Sequence, residues 1–290
     1  MNPHLKGTLI TALGIILLSP DSLIIRLVDA DKLTILFWRG LFTFEGMLLV
    51  TAMLHGRNTL RVFKAIGWPG IGAALMFTLS SFCFVNALVN TSVANTLVIL
   101  STSPVFAAIL GWLFLKEKIE IHTIVAIVVV IAAVTLIVSG SYENGSLLGD
   151  LFAMGAALFV ASTFVFTRKK KDGDMTPAVA LSGLMVALIA APSIDPFDVP
   201  PESALLLLAL GAVMTIALTL MFIGPRYIPA AEVSLMLPLE TVCGTLIVWL
   251  IINEVPNVES LIGGGIIIIA LFVHAMIALR RENASAVTRV

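Results

Sequence analysis

Four ionisable residues, Asp21, Arg39, Glu45 and Glu240, lie inside long apolar runs of the chain. Charge held away from water is costly, so such residues mark pathways or pairs. Arg39 offers a planar fork that fits a carboxylate, and Asp21 can take an amine or a proton. At 1.5 Å per helical residue both fall roughly 10 Å from the same end of their segments. They are read as a salt bridge, as a ligand-binding pair, or as a pair that a ligand opens. Trp38, beside Arg39, is a weaker candidate for the same site. Glu45 and Glu240 fall near the middle of their segments. A desolvated carboxylate with no cation nearby takes up a proton readily, so both are proton-coupling candidates, and Glu240 is the better one because Pro238 precedes it. Pro20, Pro104 and Pro238 each remove a backbone donor and are expected to break or bend their helices. Ser101, Thr102 and Ser103 surround one such break, where their hydroxyls either satisfy freed carbonyls or face a cavity. Asn86 and Asn95 are expected near one end of the bundle, lining a vestibule or joining helices. Cys83 and Cys243 lie in apolar runs and read as packing residues. No spacing of His, Cys, Asp or Glu resembles a metal site, and no cofactor motif is present.

These residues need helices to hold them. Of 290 residues, 59% are hydrophobic and 12% charged, and mean hydropathy is +1.07. Soluble domains carry about 25% charged residues, so the composition excludes a soluble globule and a disordered chain. With a net charge of −1 the chain has no basic field for nucleic acid. A bilayer core is crossed by roughly 20 apolar residues. Ten such segments are expected, at 7–28, 33–53, 66–88, 92–115, 121–139, 147–167, 176–194, 203–224, 229–252 and 258–279. Asp21 and Arg26, with no cleavage site after them, argue against reading the first as a secretory signal. With the amino terminus in the cytoplasm, only Lys32 of the 17 basic residues falls in an outer loop, while Arg26 and Arg39 lie within segments. That asymmetry follows the positive-inside rule. It predicts a multi-pass protein of the plasma or inner membrane with both termini cytoplasmic. Small residues at Gly149, Ala153, Ala157 and Ala161 form a close-packing stripe. Gly263, Gly264 and Gly265 offer another, within the chain or to a second copy in a homodimer.

The chain also repeats itself. Ala94, Leu100, Trp112 and Glu117 recur 137 residues later as Ala231, Leu237, Trp249 and Glu254, and Gly7 and Arg26 recur 142 residues later as Gly149 and Arg168. Five segments per copy is an odd number, so the copies have opposite orientation. Inverted repeats are the signature of alternating-access carriers, with the ligand site near the midplane. The expected fold is an all-α polytopic membrane protein of ten transmembrane helices, with residues 1–140 as the first half, 147–281 as the second and 282–290 as a cytoplasmic tail. Glu117 and Glu254 each stand just before a new helix, where a carboxylate satisfies free N–H groups. His122 and His274 read as interfacial and packing residues.

The stretch from Ser103-Pro104-Val105 to Leu115-Lys116-Glu117, its second copy from Leu237-Pro238-Leu239-Glu240 to Asn253-Glu254, and Trp38-Arg39-Gly40 resemble the drug/metabolite transporter superfamily, EamA type. The resemblance covers roughly 7–279 and departs at Thr241, where the second copy usually has Pro, and at Ala126, where Gly is usual. It implies a central cavity between the halves and a small metabolite, often an exported amino acid, as substrate. A zwitterion or carboxylate suits Arg39 and Asp21. Quaternary amines use aromatic cages, whereas the two tyrosines here, Tyr142 and Tyr227, sit at loop edges. An organic cation, amine or drug is the alternative cargo. Intramembrane enzymes and ATP-driven pumps lack support, since no hydrolase, zinc-protease or P-loop motif occurs. A scaffold would usually carry a soluble output domain, and none is visible. The expected partners are the small-molecule substrate and the lipid bilayer.

Overall fold

The computed structural model describes residues 3–116, 121–143, 146–169, 174–195, 198–223 and 230–287; the side chains of 222–223, 230–238 and 278–287, and of some further residues such as His122, Arg168 and His274, lie outside the description. The first expected segment is two helices, α1 (Pro3–Leu18) and α2 (Asp21–Leu27), parted at Ser19 and Pro20. The second is α3 (Lys32–His55), capped by the Asp31 carboxylate, which accepts from the Leu33 and Thr34 amides. Between α3 and the third segment the sequence predicts a break. The structure puts a 3-10 turn and a seven-residue helix, α4 (Thr59–Ala65), there.

The third segment is α5 (Gly67–Asn90). The fourth is again two helices, α6 (Val93–Leu100) and α7 (Ser103–Leu115). The remaining six segments are α8 (Ile121–Glu143), α9 (Leu147–Arg168), α10 (Thr176–Ala190), α11 (Pro201–Ile223), α12 (Ala230–Ile252) and α13 (Val258–Val287). The last helix runs on past the expected end of its segment at 279. Among the described residues, seven stretches are long and apolar enough to cross a membrane, and three shorter apolar helices, Ile124–Ser139, Leu239–Ile252 and Val258–Val273, supply the rest. Every assigned element is helical.

The strongest helix contacts are α5 with α9, α3 with α10, α8 with α13 and α1 with α11. If each segment of the first half is exchanged for its counterpart in the second, this pattern maps onto itself. The α5–α9 contact becomes α1–α11, α10–α5 becomes α11–α3, and α3–α10 and α8–α13 map onto themselves. Backbone geometry agrees. Among the described residues, the non-glycine residues with positive φ are Lys116 and Asn253, at 55° and 56°. They are 137 residues apart and end α7 and α12 at the same place in the repeat.

Small residues let the helices approach. Ala153, Ala157 and Ala161 are fully buried, and a Cβ on Gly149 would meet the Thr91 backbone at 2.6 Å. At the crossing of α3 and α10 a Cβ on Gly40 would lie 2.7 Å from the Gly183 carbonyl oxygen, and one on Gly183 would lie 2.6 Å from that of Gly40. Gly263 packs on Ile137 and Gly264 on Val98, whereas Gly265 faces open space. Trp68, Trp112 and Trp249 are exposed, as an aromatic belt requires.

Candidate functional site

Pro20 ends α1 and places Asp21 at the first position of α2, while the Asp31 cap starts α3 so that Arg39 points inward two turns later. Arg39 Nη2 donates to Asp21 Oδ2 at 3.0 Å and Nε to Asp21 Oδ1 at 3.3 Å. Asp21 is 4% exposed and Arg39 9%. The guanidinium also donates to Ser81 Oγ at 3.4 Å and lies 5.6 Å from the Phe84 ring centre, both on α5, with Met214 of α11 on its other flank. Half-buried Glu240 lies on α12, which packs against α2, the helix that carries Asp21. Asp21 and Arg39, two of the four ionisable residues in the apolar runs, are thus in direct contact.

A cavity of about 10 Å³ opens beside Arg39, lined also by Gly40, Thr43, Phe77, Ser81, Ser182, Gly183, Val186 and Met214. That is room for about one water. Pockets for small molecules run to several hundred Å³, so the centre is closed in this conformation. The cavity sits at the Gly40–Gly183 crossing, between the two halves of the chain.

The other candidates fall elsewhere. Glu45 is exposed on the outside of the bundle, not in its centre. It lies six residues after Arg39, about 120° away around α3 at roughly 100° per residue, off the face that meets Asp21. Trp38 stacks on Phe42 with ring centres 5.4 Å apart and does not line the cavity. Ser101 and Thr102 donate to the Val98 and Ile99 carbonyls at 2.6 Å, so their hydroxyls close the α6–α7 break. Ser103 is buried at the start of α7, and Pro104 occupies the first turn, where the missing N–H costs nothing. Pro238 lies within α12, and its side chain is outside the description. Asn86 accepts from Lys32 Nζ at 3.0 Å near the start of α3. Thr241, where the family pattern usually has Pro, donates to the Leu97 carbonyl at 3.2 Å and joins α12 to α6.

Charged residues outside the pair of Asp21 and Arg39 also join the helices. Asp150, at the start of α9, is fully buried. Its Oδ1 accepts from the Thr91 hydroxyl at 2.8 Å and the Asn95 amide at 3.3 Å, and its Oδ2 has no protein partner. Asn95 in turn accepts from Ser260 of α13. It is thus an interhelical polar residue and not part of an open vestibule. Nearby, Arg26 pairs with Glu254 at 3.3 Å and donates to the Thr91 carbonyl at 2.8 Å. Glu254 accepts from the Val93 amide at 2.7 Å. The carboxylate does cap a helix, but the helix is α6, far away in sequence, and not its own successor. Glu117 lies outside the described residues. At the other end of the bundle His55 meets Asp174 at 2.7 Å and ties α3 to α10. Among the described residues no group of three His, Cys, Asp or Glu could hold a metal ion.

Apolar helices long enough to cross a membrane, packed around buried charged side chains, are the architecture of a polytopic membrane protein. The chain belongs to the EamA-like transporter family, whose model matches residues 5–139 and 147–276. It is similar to an uncharacterized transporter of Methanothermobacter thermautotrophicus, 26% identical over 69% of this chain and 62% of that protein. It is also similar to solute carrier family 35 member G1 of Homo sapiens, 33% identical over 56% of this chain and 48% of that protein. The chain thus spans about three fifths and about half of these two relatives. An uncharacterized transporter of Archaeoglobus fulgidus is 22% identical over 92% of this chain and 95% of its own length. A solved crystal structure superposes with a TM-score of 0.68 at 18% identity, covering 96% of this chain and 99% of that one, which shows a shared fold.

Proposed function

We propose that this protein is a secondary carrier that exports a small zwitterion, of the amino acid type, by alternating access. Arg39 takes the substrate carboxylate, Asp21 takes its amine, and Glu240 takes a proton that couples transport to the gradient. The observation that carries this reading is the buried Arg39–Asp21 pair at 3.0 Å beside a closed cavity. A zwitterion replaces each partner of that pair with a group of its own, so the charges never stand alone in a dry interior. Glu45 is set aside as the coupling group because it faces outward. The inverted-repeat reading is supported by the packing pattern that maps onto itself and by the matching helix ends at Lys116 and Asn253. In this reading both termini are cytoplasmic in a plasma membrane, and the chain catalyses no covalent chemistry.

A second reading, an organic cation as cargo, is favoured by one observation: α12, which carries the carboxylate of Glu240, packs against α2, which carries that of Asp21. A thermal-shift series on the purified protein separates the two. A ligand at 100 times its Kd raises stability by about 2.7 kcal/mol. Amino acids should raise the melting temperature, and Arg39→Ala should abolish the rise. Stabilisation by amines alone, undiminished in Arg39→Ala, would overturn the zwitterion reading in favour of a cation carrier.

A further inference from the structure

Two half-helices, α2 of seven residues and α6 of eight, are fastened at their outer ends to one carboxylate. Glu254 lies 3.3 Å from Arg26 Nη2 through Oε2, at the last turn of α2, and accepts from the Val93 amide at 2.7 Å through Oε1, at the first turn of α6. Each half-helix is separated from the rest of its membrane crossing by a polar break, Ser19-Pro20 for α2 and Ser101-Thr102 for α6. The two helices come from the first half of the chain, whereas Glu254 comes from the second. Asn253, held at φ 56°, ends α12 abruptly and turns the chain so that Glu254 reaches across. Asn is among the few residues that adopt this conformation without large strain.

The inner end of α2 carries Asp21, the partner of Arg39. A seven-residue helix is about 10 Å long, so one rigid rod links the buried pair to the outer one. Both side chains of the outer pair keep about a quarter of their surface open, 28% for Arg26 and 24% for Glu254. Water can therefore replace these contacts when they part, more freely than it can for the buried Arg39 and Asp21.

We propose that Glu254 is the latch of a gate formed by α2 and α6, hinged at Ser19-Pro20 and Ser101-Thr102, and that α2 carries the state of the Arg39–Asp21 pair to that latch. The proposal rests on the reading of Arg39 as the transport centre. When a ligand takes Arg39, Asp21 is released, α2 loses its inner anchor, and Arg26 leaves Glu254. The freed Glu254 no longer holds Val93, and α6 swings with α2. One event at the centre thus opens one end of the bundle.

The test uses the full chain in lipid nanodiscs, where both ends meet the reagent. Cys83 and Cys243 are replaced by Ala, and Ser81→Cys places a single thiol beside Arg39. The probe is a membrane-impermeant maleimide, and the readout is its labelling rate with no transport substrate added. Glu254→Gln is expected to raise the rate at least about fivefold, as is Asp21→Asn, which frees α2 at its inner end. Should Glu254→Gln fail to fold, Arg26→Gln leaves the Val93 cap in place and is expected to give the same rise. Rates within twofold of the parent in Glu254→Gln and Arg26→Gln would overturn the latch. A rise in those variants with none in Asp21→Asn would overturn the role of α2 as the connecting rod. Because no substrate is present, the outcome is decided separately from the identity of the cargo.

Discussion

Arg39 and Asp21 meet through two hydrogen bonds, at 3.0 and 3.3 Å, from helices joined by the short loop 28–31. The pair is local in sequence and central in space. Removing one partner of such a buried pair leaves the other charge stranded, at about 3–5 kcal/mol. Asp21→Asn should therefore lower the melting temperature by several degrees, and Asp21→Asn with Arg39→Gln should recover part of the loss. Additive losses in a differential scanning measurement would show that the two charges do not depend on each other.

Arg39→Lys keeps the charge but lacks the fork that reaches both Asp21 oxygens and Ser81. Transport by this variant in proteoliposomes should fall at least about tenfold, since a bidentate charged contact is worth 1.5–3 kcal/mol. Wild-type rates in Arg39→Lys would mean that charge alone suffices at the centre.

Asn253 is held at φ 56°. Asn253→Gly should leave stability within about 0.5 kcal/mol, whereas Asn253→Val should cost about 1–2 kcal/mol because a branched Cβ clashes with the carbonyl in this region. Equal melting temperatures for the two variants would contradict the helix-end geometry.

Gly40 and Gly183 face each other where α3 crosses α10. A methyl on either would sit 2.6–2.7 Å from a backbone oxygen, and overpacking of this kind costs about 1–3 kcal/mol. Gly265 has nothing within 4 Å of the same position, so Gly265→Ala should be neutral or stabilising by up to about 1 kcal/mol. Thermal unfolding of the three alanine variants ranks them, and a Gly265→Ala as damaging as Gly40→Ala would count against the packing described.

The legible part of this molecule is what short-range pattern encodes. Apolar length marks the crossings, Pro20 and the Ser101-Thr102 pair mark the breaks, and equal depth in adjacent segments brings Asp21 to Arg39. The face of each helix was far less legible. A membrane helix is apolar all round, so the amphipathic stripe that would aim a side chain is weak. Segment position puts Glu45 near the midplane but does not say which way it faces, and its side chain is exposed. Asp150 hid beside a stripe of small residues near a segment end, and its Thr91 partner is 59 positions away. Glu254 looked like a cap for the next helix, yet it caps α6, 161 positions earlier. Only the three-dimensional return of the chain brings these together.

At the opposite end, burial by itself would raise the Asp174 carboxyl. The Thr176 hydroxyl and amide and the neighbouring His55 outweigh burial and hold it below its ordinary value of 3.8. A carboxylate held low in this way adds stability above its ordinary range, and the contribution fades as pH falls from about 3.8 through the lowered value. Asp174→Asn should therefore melt below the wild type at pH 7, and the gap should narrow as pH falls below 3.8, so that it is smaller at about pH 3. A gap that stays constant between these pH values would contradict the assignment.

The central claim is that Arg39 and Asp21 bind the two ends of a zwitterion. The most direct measurement is counterflow in proteoliposomes with three matched compounds: an amino acid, the amine that lacks its carboxylate, and the acid that lacks its amine. Exchange should be fastest for the amino acid. Arg39→Gln should erase the preference for a carboxylate, and Asp21→Asn the preference for an amine. Equal exchange of all three compounds by the wild type, or an unchanged preference in both variants, would contradict the account.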